Sequence, residues 1–487
     1  MAKKQLTIEE KLQAALVPVE EQPYKVPENW CWVRLDKLYQ VNPKNEDVDE
    51  DTRAAFIPMA NIDGGLTSNF TYEIQSWKQA KKGHTQMADG DVAFAKISPC
   101  FENRKSMIVE GLENGIGGGT TELIILRQPN VNKEYTFWLV STEEFISKGC
   151  TTYSGTVGQQ RISMDFVKNY PVPLAPLNEQ SRIVARIESL FAKLDEAKEK
   201  IQEVLDGADL RRAAILHQAF TGKLTTIKNA DDVDGIFPSI RQWGKDLSNK
   251  DRKILIEEQD KSEKIHFQDG REWIKCTIGA IGRVSNGSTP SRKCPNYWDG
   301  NIFWVSSGEV SNNVITNTKE RITQEGYENS SVKLLPVGTV LIAMIGEGKT
   351  RGQSAILDIE ATTNQNIAAV IINHGKVLPK FLWFWFQFNY TKNREKGAGS
   401  GPQALNCQRV RELEFVCPSV REQKEIVRLL DNLLSREQST VTACEEALTT
   451  IDILKKSILA RAFRGELGTN DPSEAGAQEL LQEILAS

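Results

Sequence analysis

The chain has 487 residues, of which 40% are hydrophobic and 26% charged, and a formal net charge of −5. This length predicts at least two domains, and the composition is typical of soluble globular proteins. No apolar run reaches the length of a membrane span, and the first ten residues lack the apolar core of a secretory signal. Eight scattered cysteines without a CxxC pair favour reduced thiols, and so a cytoplasmic location. The net charge neither indicates nor excludes a local nucleic-acid-binding surface.

The sequence contains an internal repeat with a step of 243 positions. This step carries Trp30 to Trp273, and it carries the pair Glu179-Gln180 to Glu422-Gln423. The same step relates Val41 to Val284, Gly158 to Gly401, Gln160 to Gln403, Val167 to Val410, Ile183-Val184 to Ile426-Val427, and AFTG at 219–222 to AFRG at 462–465. The register drifts by a few residues in between, as loop insertions would cause. The chain is therefore a tandem duplication.

The connecting segments of the two copies have nearly equal lengths. Between Leu224 and Trp273 lie 48 residues, and the residues after Leu467 together with those before Trp30 number 49. If the two ends of the chain were joined, it would consist of two halves of nearly equal length, each with one copy of the repeat and one connecting segment. This predicts a pseudo-two-fold molecule whose ends lie close together.

Each half begins with short strand-like runs and continues into a helical region. AAFIPMANI, DVAFAKI and TELIILR in the first half, and NIFWVSS, GTVLIAMI and NIAAVII in the second, indicate a mixed β domain with loops between the strands. The aromatic runs YTFWLVSTEEF and KFLWFWFQF predict a helix packed on the sheet. We expect Trp30, Trp273 and Trp298 to be core residues.

The second part of each half predicts a long helix with a coiled-coil seam. Apolar or small residues alternate at steps of four and three at positions 183, 187, 190, 194, 197, 201, 204 and 208, and a similar series follows at 426, 430, 433, 444, 447, 451, 454 and 458. Each helix follows a proline and ends at Gly222 or Gly465. Gly207 is expected to interrupt the first helix. Two matching helices in one chain can pair with each other, and the repeat favours an antiparallel pair; a dimerisation rod is the alternative.

The sequence offers little catalytic chemistry. It has no H-E-x-x-H motif, no Cys/His cluster with metal-ligand spacing, and four isolated histidines. The glycine run 115–119 lacks the last glycine of a dinucleotide loop and is interpreted as a flexible connection. AMIGEGKT (343–350) ends like a phosphate loop, but Ala343 replaces its first glycine and Gly352 stands where a helix should start. We therefore expect Lys349 and Arg351 on a polar loop that faces DNA rather than a nucleotide.

Several segments resemble the specificity subunit of type I restriction-modification enzymes. SNGSTPSRKCPNYWDGNIFWVSSGEV (285–310) is similar to the start of a target recognition domain of that family. SGTVGQQRISMDFVKNYPVPLAPLNEQSRIV (154–184) is similar to the end of such a domain entering the helix that follows, and AFTGKL and AFRGEL resemble the helix ends. The resemblance covers nearly the whole chain, although the first domain lacks the GSTP…YW stretch.

This resemblance implies an α+β architecture with two mixed α/β target recognition domains joined by two long helices that form an antiparallel coiled coil. The boundaries are an N-terminal arm (1–27), target recognition domain 1 (28–175), a central helix (176–225), a linker (226–270), target recognition domain 2 (271–415), a C-terminal helix (416–467) and a tail (468–487). The arm and the linker carry no motif.

The family implies a non-catalytic subunit whose two domains each read one half of a split, asymmetric target in double-stranded DNA. The helices set the spacing and dock two modification subunits, which methylate adenine, and restriction subunits join that core. No cofactor is expected on this chain, whereas S-adenosylmethionine, ATP and Mg are expected on the partner subunits.

Three alternatives remain open. One is a fused specificity subunit of a different methyltransferase-nuclease system. Another is a coiled-coil adaptor without DNA contact, which DNA retardation with and without a modification partner would separate. The third is an ATPase built on the GKT loop, which a nucleotide-binding assay would separate.

The candidate DNA-binding residues are polar or basic residues on loops, because such side chains read base edges. Those of the first domain are Lys96, Asn103, Arg104, Lys105, Thr120, Thr121, Gln160 and Arg161. Those of the second are Ser288, Thr289, Arg292, Lys349, Arg351, Asn364, Gln365 and Gln403. No catalytic, cofactor-binding or metal-binding residue is expected.

Overall fold

The structure is a computed structural model that describes residues 7–156, 158–225, 233–346, 348–395 and 404–486. The chain divides into two compact units. Unit 1 contains Met1–Glu203 and Cys444–Ser487, and unit 2 contains Val204–Ala443.

The α-helices of the described residues are α1 (Ile8–Ala15), α2 (Leu35–Leu38), α3 (Trp77–Lys81), α4 (Lys133–Val140), α5 (Glu143–Cys150), α6 (Met164–Asn169), α7 (Leu177–Asp206), α8 (Ala208–Phe220), α9 (Ile236–Trp243), α10 (Asn249–Gln259), α11 (Ile278–Ile281), α12 (Gln324–Glu328), α13 (Pro379–Phe388), α14 (Tyr390–Glu395), α15 (Cys407–Arg411), α16 (Val420–Ala462) and α17 (Ala477–Ala486).

The strands of unit 1 are β1 (Cys31–Arg34), β2 (Gln40–Val41), β3 (Arg53–Ile57), β4 (Glu73–Ser76), β5 (Thr85–Ala88), β6 (Val92–Ala95), β7 (Ser106–Ile108), β8 (Ile116–Gly119), β9 (Leu123–Arg127) and β10 (Pro171–Leu174). They form sheets of order β1-β10, β2-β9-β6-β7 and β4-β3-β8-β5. In the second sheet, β9 and β7 both pair antiparallel with β6.

The strands of unit 2 are β11 (Glu263–His266), β12 (Glu272–Thr277), β13 (Arg283–Asn286), β14 (Trp298–Val305), β15 (Asn313–Ile315), β16 (Glu320–Ile322), β17 (Val340–Ala343), β18 (Ser354–Leu357), β19 (Thr362–Thr363), β20 (Ile367–Ile371) and β21 (Glu414–Cys417). They form sheets of order β11-β12-β21, β13-β20-β17-β18-β15 and β16-β14-β19.

The predicted strands and the predicted sheet-packed helices are confirmed. The six strand-like runs overlap β3, β6, β9, β14, β17 and β20, and the aromatic runs overlap α4 and α13. The apolar side chains of these elements are buried: Tyr135 and Phe137 of α4, like Phe381 and Phe386 of α13, are almost entirely removed from solvent. Helix α4 packs against β6 and β7, and α13 packs against β17 and β18.

The glycine run 115–119 was wrongly predicted to be a flexible connection. Residues Ile116–Gly119 form the buried strand β8, which lies between β3 and β5. A Cβ atom on Gly118 would lie 2.0 Å from the carbonyl oxygen of Ala80 in α3. Gly118 is therefore needed because α3 packs directly on the strand, whereas added Cβ atoms on Gly117 and Gly119 would meet Leu112 and Met87 at 2.9 and 2.8 Å.

The long helices follow the prediction, with some differences along the seam. Gly207 separates α7 from α8 as expected, and α16 is continuous. The first two seam residues of each long helix are buried, namely Ile183 and Ile187 in α7 and Ile426 and Leu430 in α16. Val204 and Leu454, by contrast, are 37% and 44% exposed. The seam is therefore well packed where each long helix begins and again at Ile451 of α16, which is 5% exposed.

The described parts of the connectors are folded, although they carry no motif. In unit 2 the linker contains α9, α10 and β11, and Arg241 of α9 donates to Gln259 of α10 at 2.7 Å. In unit 1 the N-terminal α1 packs on the C-terminal α17, where Lys11 Nζ donates to the carbonyl of Leu485 at 2.9 Å. The predicted proximity of the chain ends is confirmed, and the α17–α1 pair corresponds to the α9–α10 pair of the other copy.

A buried Glu-Gln pair at the start of each long helix ties the helix to its recognition domain. We call this pair the helix clamp: Glu179–Gln180 in unit 1 and Glu422–Gln423 in unit 2, all 0% exposed. In unit 1, Glu179 accepts from Trp30 Nε1 at 2.7 Å and from Asn470 Nδ2 at 2.8 Å. Gln180 accepts at 2.9 Å from the backbone N–H of Asn132, the residue immediately before α4. The clamp thus joins the first strand region, α4 and the segment after α16.

The clamp of unit 2 has the same plan with an added ion pair. Glu422 accepts from Trp273 Nε1 at 2.9 Å, from Thr225 Oγ1 at 2.7 Å and from Arg271 Nη1 at 2.5 Å. Gln423 accepts from the backbone N–H of Leu378 at 2.8 Å, immediately before α13. Arg271 is 6% exposed, so the carboxylate and its cation are both buried.

We predict that Glu422→Ala destabilises unit 2 by about 3 kcal/mol, the lower end for a broken buried ion pair, because Arg271 loses Glu422 but keeps its ion pair with Asp269 at 2.7 Å. Glu179→Ala should destabilise unit 1 by about 1–3 kcal/mol, because it leaves only neutral donors unsatisfied. Urea denaturation, with hydrogen exchange assigned to the peptides of each unit, measures both effects.

Glu425→Ala is the matched control, since Glu425 lies on the same helix in an exposed ion pair with Arg428 at 2.6 Å. Its loss should change stability by about 0.5 kcal/mol or less. Equal losses for Glu422→Ala and Glu425→Ala would show that the clamp does not hold unit 2 together.

Candidate nucleic-acid interface

Three chain segments of the first recognition domain meet at the end of β6. The backbone N–H of Lys96 donates to the carbonyl of Glu122 at 2.8 Å, and the N–H of Ile162 donates to the carbonyl of Lys96 at 3.0 Å. We call Lys96, Glu122 and Ile162 the loop junction of domain 1. It gathers five of the predicted residues at one end of the sheet: Lys96, Thr120, Thr121, Gln160 and Arg161.

Arg161 is oriented at this junction by Glu122, which the sequence analysis missed. Its Nε and Nη2 donate to the two carboxylate oxygens of Glu122 at 2.9 and 2.7 Å. These hydrogen bonds hold the pKa of Glu122 below its usual value, although partial burial opposes them. Arg161 keeps 42% of its side chain exposed. It therefore presents a fixed guanidinium at the surface, while Thr121 is exposed and Lys96, Thr120 and Gln160 are half-buried.

The second domain repeats this construction. The N–H of Met344 donates to the carbonyl of Asn366 at 2.9 Å, and the N–H of Leu405 donates to the carbonyl of Met344 at 2.9 Å. Met344, Asn366 and Leu405 are the loop junction of domain 2. Their positions follow those of domain 1 by about the repeat step, so the duplication has preserved the backbone contacts.

The loop 287–289 lies against this second junction. The N–H of Ser288 donates to the carbonyl of Thr363 at 2.9 Å, and Thr289 Oγ1 donates to Gln365 Oε1. A Cβ atom on Gly287 would lie 1.9 Å from the carbonyl of Thr363, which explains the glycine before the serine. The predicted residues Ser288, Thr289 and Gln365 thus come together, with Gln365 exposed and the other two half-buried.

Arg292 lies on an aromatic surface beside the same loop. Its guanidinium carbon is 3.7 Å from the ring centroid of Trp298 and 5.2 Å from that of Trp304, and it forms a bidentate ion pair with Glu320. The prediction that Trp298 belongs to the core is confirmed only in part, since it packs against the cluster of Trp304 and Ile322 but is half-buried and supports Arg292. The signal that could have found this surface is the even spacing of the two tryptophans, which favours one face of a strand.

Some predicted reading residues stabilise their own loops. Arg104 Nε donates to the carbonyl of Ser141 at 3.0 Å and also pairs with Glu143. Lys105 Nζ donates to the carbonyls of Met59 and Ile62 at 3.0 and 2.8 Å. These bonds occupy the charged groups, which argues against base contacts by either residue. The neighbouring Asn103 is exposed, and its carbonyl accepts from the N–H of Gly65 at 2.7 Å.

The loop after β17 corrects the expectation for Arg351 and bears on the phosphate-loop alternative. Lys349 is exposed, whereas Arg351 is only 8% exposed and its carbonyl accepts from Arg394 at 2.8 Å. Arg351 therefore belongs to the framework of the loop. After Thr350 the described chain turns at Gly352 and enters β18, which pairs antiparallel with β17. A phosphate loop instead leads into a helix N-terminus, so this hairpin lacks its geometry.

Two further predicted residues have different outcomes. Asn364 is 7% exposed, and its side-chain oxygen accepts from the N–H of Asn366 at 3.0 Å, which makes it a structural residue of the junction. Gln403 lies outside the described residues, as does Gly401.

Two other kinds of site are absent from the described part of the chain. Within residues 7–156, 158–225, 233–346, 348–395 and 404–486, no helix is both long and apolar enough to cross a membrane. In the same ranges no three His, Cys, Asp or Glu side chains are grouped so that they could hold a metal ion.

Comparison with known proteins identifies the two domains. The model of the type I restriction modification DNA specificity domain matches residues 27–206 and 270–446. The EcoAI specificity subunit of Escherichia coli is 36% identical over 216 residues, which are 44% of this chain and 36% of that protein. The EcoEI specificity subunit of Escherichia coli is 34% identical over 226 residues, 46% of this chain and 37% of that protein. The matched regions thus span little more than a third of these relatives.

Solved structures agree at the level of the fold. The HsdS subunit of Thermoanaerobacter tengcongensis superposes with a TM-score of 0.64 at 18% identity, covering 92% of this chain and all of that one. A chain from a structural study of type I R-M complex assembly gives a TM-score of 0.63 at 19% identity, covering 91% of this chain and all of that one. Together with the two matched domains, these results show that the chain belongs to the family of type I restriction-modification DNA specificity proteins.

Proposed function

We propose that this chain is the DNA-reading, non-catalytic specificity subunit of a type I restriction-modification complex. The observation that carries the proposal is the pair of matching loop junctions, one in each family-matched domain, with different side chains at corresponding places. Lys96, Thr121 and Arg161 surround the first junction, while Thr289, Arg292 and Gln365 surround the second. Since base edges are read by such polar side chains, the two domains should read different half-sites.

The two long helices would form an antiparallel coiled coil that sets the spacing of these half-sites. Within unit 1, Asp195 of α7 pairs with Lys455 of α16 at 2.5 Å. Within unit 2, Arg211 of α8 pairs with Glu437 of α16 at 2.7 Å. Later residues on one helix thus meet earlier residues on the other, which supports the antiparallel pairing.

The helices also offer one equivalent apolar position in each unit for a partner. Leu210 is 75% exposed and Ile453 is 61% exposed, and the repeat step of 243 relates them. An exposed apolar residue is common, but its recurrence at the same place in both copies favours a partner that binds twice. The family resemblance implies that this partner is a pair of modification subunits, which would bind S-adenosylmethionine. Restriction subunits, with ATP and Mg, would join the same cytoplasmic complex.

Replacement of residues 28–175 by the corresponding domain of another family member should change one half of the DNA target only. The reason is that each recognition domain has its own core and its own junction. Methylation profiling of cells that carry the hybrid with its modification partners measures the result. A simultaneous change of both half-sites would contradict separate reading by the two domains.

Lengthening the helix pair should increase the distance between the half-sites without changing the base sequence of either one. Four residues inserted between Leu194 and Leu205, with four more between Glu437 and Leu448, add about 6 Å to the pair. At about 3.4 Å per base pair, the spacer should grow by about one or two pairs. Some activity should be lost, because each added pair also rotates the DNA by about a tenth of a turn. An unchanged spacer with full activity would show that the helices do not set the distance.

Leu210→Asp and Ile453→Asp should each remove one of two bound modification subunits, because a charge is costly in an apolar contact. The double variant should bind neither. Native mass spectrometry of the purified complex counts the subunits, and Val19→Asp is the control, since Val19 is 80% exposed outside the long helices. Retention of two modification subunits by the double variant would place their docking surface elsewhere.

A further inference from the structure

Arg292 is exposed to solvent, and yet its guanidinium is held in place by neighbouring side chains. Its side chain is 53% exposed, yet it is held by the ring of Trp298 at 3.7 Å and by both carboxylate oxygens of Glu320. An exposed arginine normally samples many rotamers, which a ligand must then restrict. The contacts of Arg292 with Trp298 and Glu320 restrict its rotamers before any ligand binds.

The loop that carries Arg292 is fixed by the same two tryptophans. Trp304 Nε1 donates to the carbonyl of Ser288 at 3.1 Å, and Trp298 Nε1 donates to the carbonyl of Ser291 at 3.3 Å. The Thr289–Gln365 hydrogen bond connects this loop to the junction of domain 2. The position of the guanidinium is therefore set relative to the other polar side chains of that surface.

We propose that Arg292 reads a guanine in the half-site of the second recognition domain, with Trp298 and Glu320 as its positioning residues. This inference rests on the proposed DNA-reading function. Glu320 engages Nη1 and Nη2 through one hydrogen of each, which leaves three of the five N–H donors of the guanidinium. Guanine presents two acceptors, N7 and O6, on its major-groove edge, and a fork of N–H donors matches them. Adenine presents an amino donor in place of O6, so it cannot accept the second N–H.

The ion pair favours a base over a phosphate as the ligand. Phosphate attraction depends on net positive charge, and the carboxylate of Glu320 cancels that of Arg292. Recognition of neutral guanine acceptors depends instead on the fixed direction of the N–H groups, which the carboxylate and the ring supply. The Arg292–Glu320 pair is thus better suited to discrimination than to general DNA affinity.

Arg321 provides a matched comparison on the same sheet. In the antiparallel pairing of β14 with β16, Glu320 lies opposite Trp304 and Arg321 lies opposite Phe303. Adjacent residues of a strand face opposite sides, so Arg321 points away from Arg292. It also stacks on a ring, 4.6 Å from the centroid of Phe303, and its Nη2 donates to Asn317 at 3.2 Å. Arg321 therefore shares the aromatic contact but not the carboxylate or the reading surface.

The test compares methylation profiles of cells that carry the full chain with its modification subunits. The unaltered chain should give a split target whose second half contains at least one G·C pair. Arg292→Gln should reduce the preference for one such pair by about 5- to 150-fold, which is the discrimination of one bidentate base contact. Glu320→Gln should weaken the preference at the same pair, and Arg321→Gln should leave the preferred base at every target position unchanged.

A second measurement changes the DNA instead of the protein. Purified complex with the unaltered chain should bind a duplex that carries 7-deazaguanine at this position about 5-fold or more weakly, because N7 is the acceptor removed. The Arg292→Gln complex should bind both duplexes equally.

Distinct results would overturn the inference. They are a second half-site without any G·C pair, an unchanged target for Arg292→Gln, a uniform loss of binding at all sequences, or no effect of 7-deazaguanine on the unaltered complex. Absence of any split target with the unaltered chain would instead refute the proposed function itself.

Discussion

A buried carboxylate at the start of each long helix determines where the other parts of each unit can lie. Glu179 and Glu422 are fully buried, and each must satisfy its oxygens with donors from the surrounding protein. The indole N–H of Trp30 or Trp273 is one such donor, and it positions the residues around the first paired strand of the domain. The segment after a long helix supplies another, Asn470 in unit 1 and Thr225 in unit 2. Strand, helix start and helix exit thus meet at one hydrogen-bonded point.

The two clamps reach this geometry with different chemistry. In unit 2 Arg271 neutralises Glu422, whereas in unit 1 Asn470 donates to Glu179 from the segment that follows α16. A buried ion pair adds little net stability over an apolar contact, but it is costly to break once it has formed. What the duplication kept is the carboxylate, the glutamine beside it and the indole donor. The remaining donors were free to change because several kinds of N–H or O–H group satisfy the same oxygen.

The sequence was informative where structure follows from local pattern. Strands such as β6 and β17, the aromatic helices α4 and α13, and the division of the central helix at Gly207 all follow from periodicity or backbone preference. The connectors were not predicted, because α1 and α17 meet across almost the full length of the chain. The buried strand β8 was also missed, since its glycines are explained only by the close approach of other elements, such as that of Ala80 to Gly118.

The candidate interface was harder to predict because polar loop residues have two competing roles. Loops bury some of their own backbone carbonyls, and these must find donors. Lys105 and Arg104 supply such donors, so their charges serve the loop. In the sequence, Arg161 and Arg292 are basic loop residues like these two. In the structure they are paired with Glu122 and Glu320 and remain exposed. Only the pairing of distant strands distinguishes these cases, and one sequence does not contain that information.

The loop junctions explain how one fold can present two different sets of polar side chains. Their contacts join backbone groups, Lys96 to Glu122 and Ile162 in one domain and Met344 to Asn366 and Leu405 in the other. Backbone hydrogen bonds place few demands on the side chains at those positions, as the exchange of lysine for methionine and of glutamate for asparagine illustrates. The scaffold therefore fixes where side chains are presented, while their identity stays free to vary. Since the helix clamps use other residues than these side chains, the presented side chains can vary without loss of the attachment of each domain to its long helix.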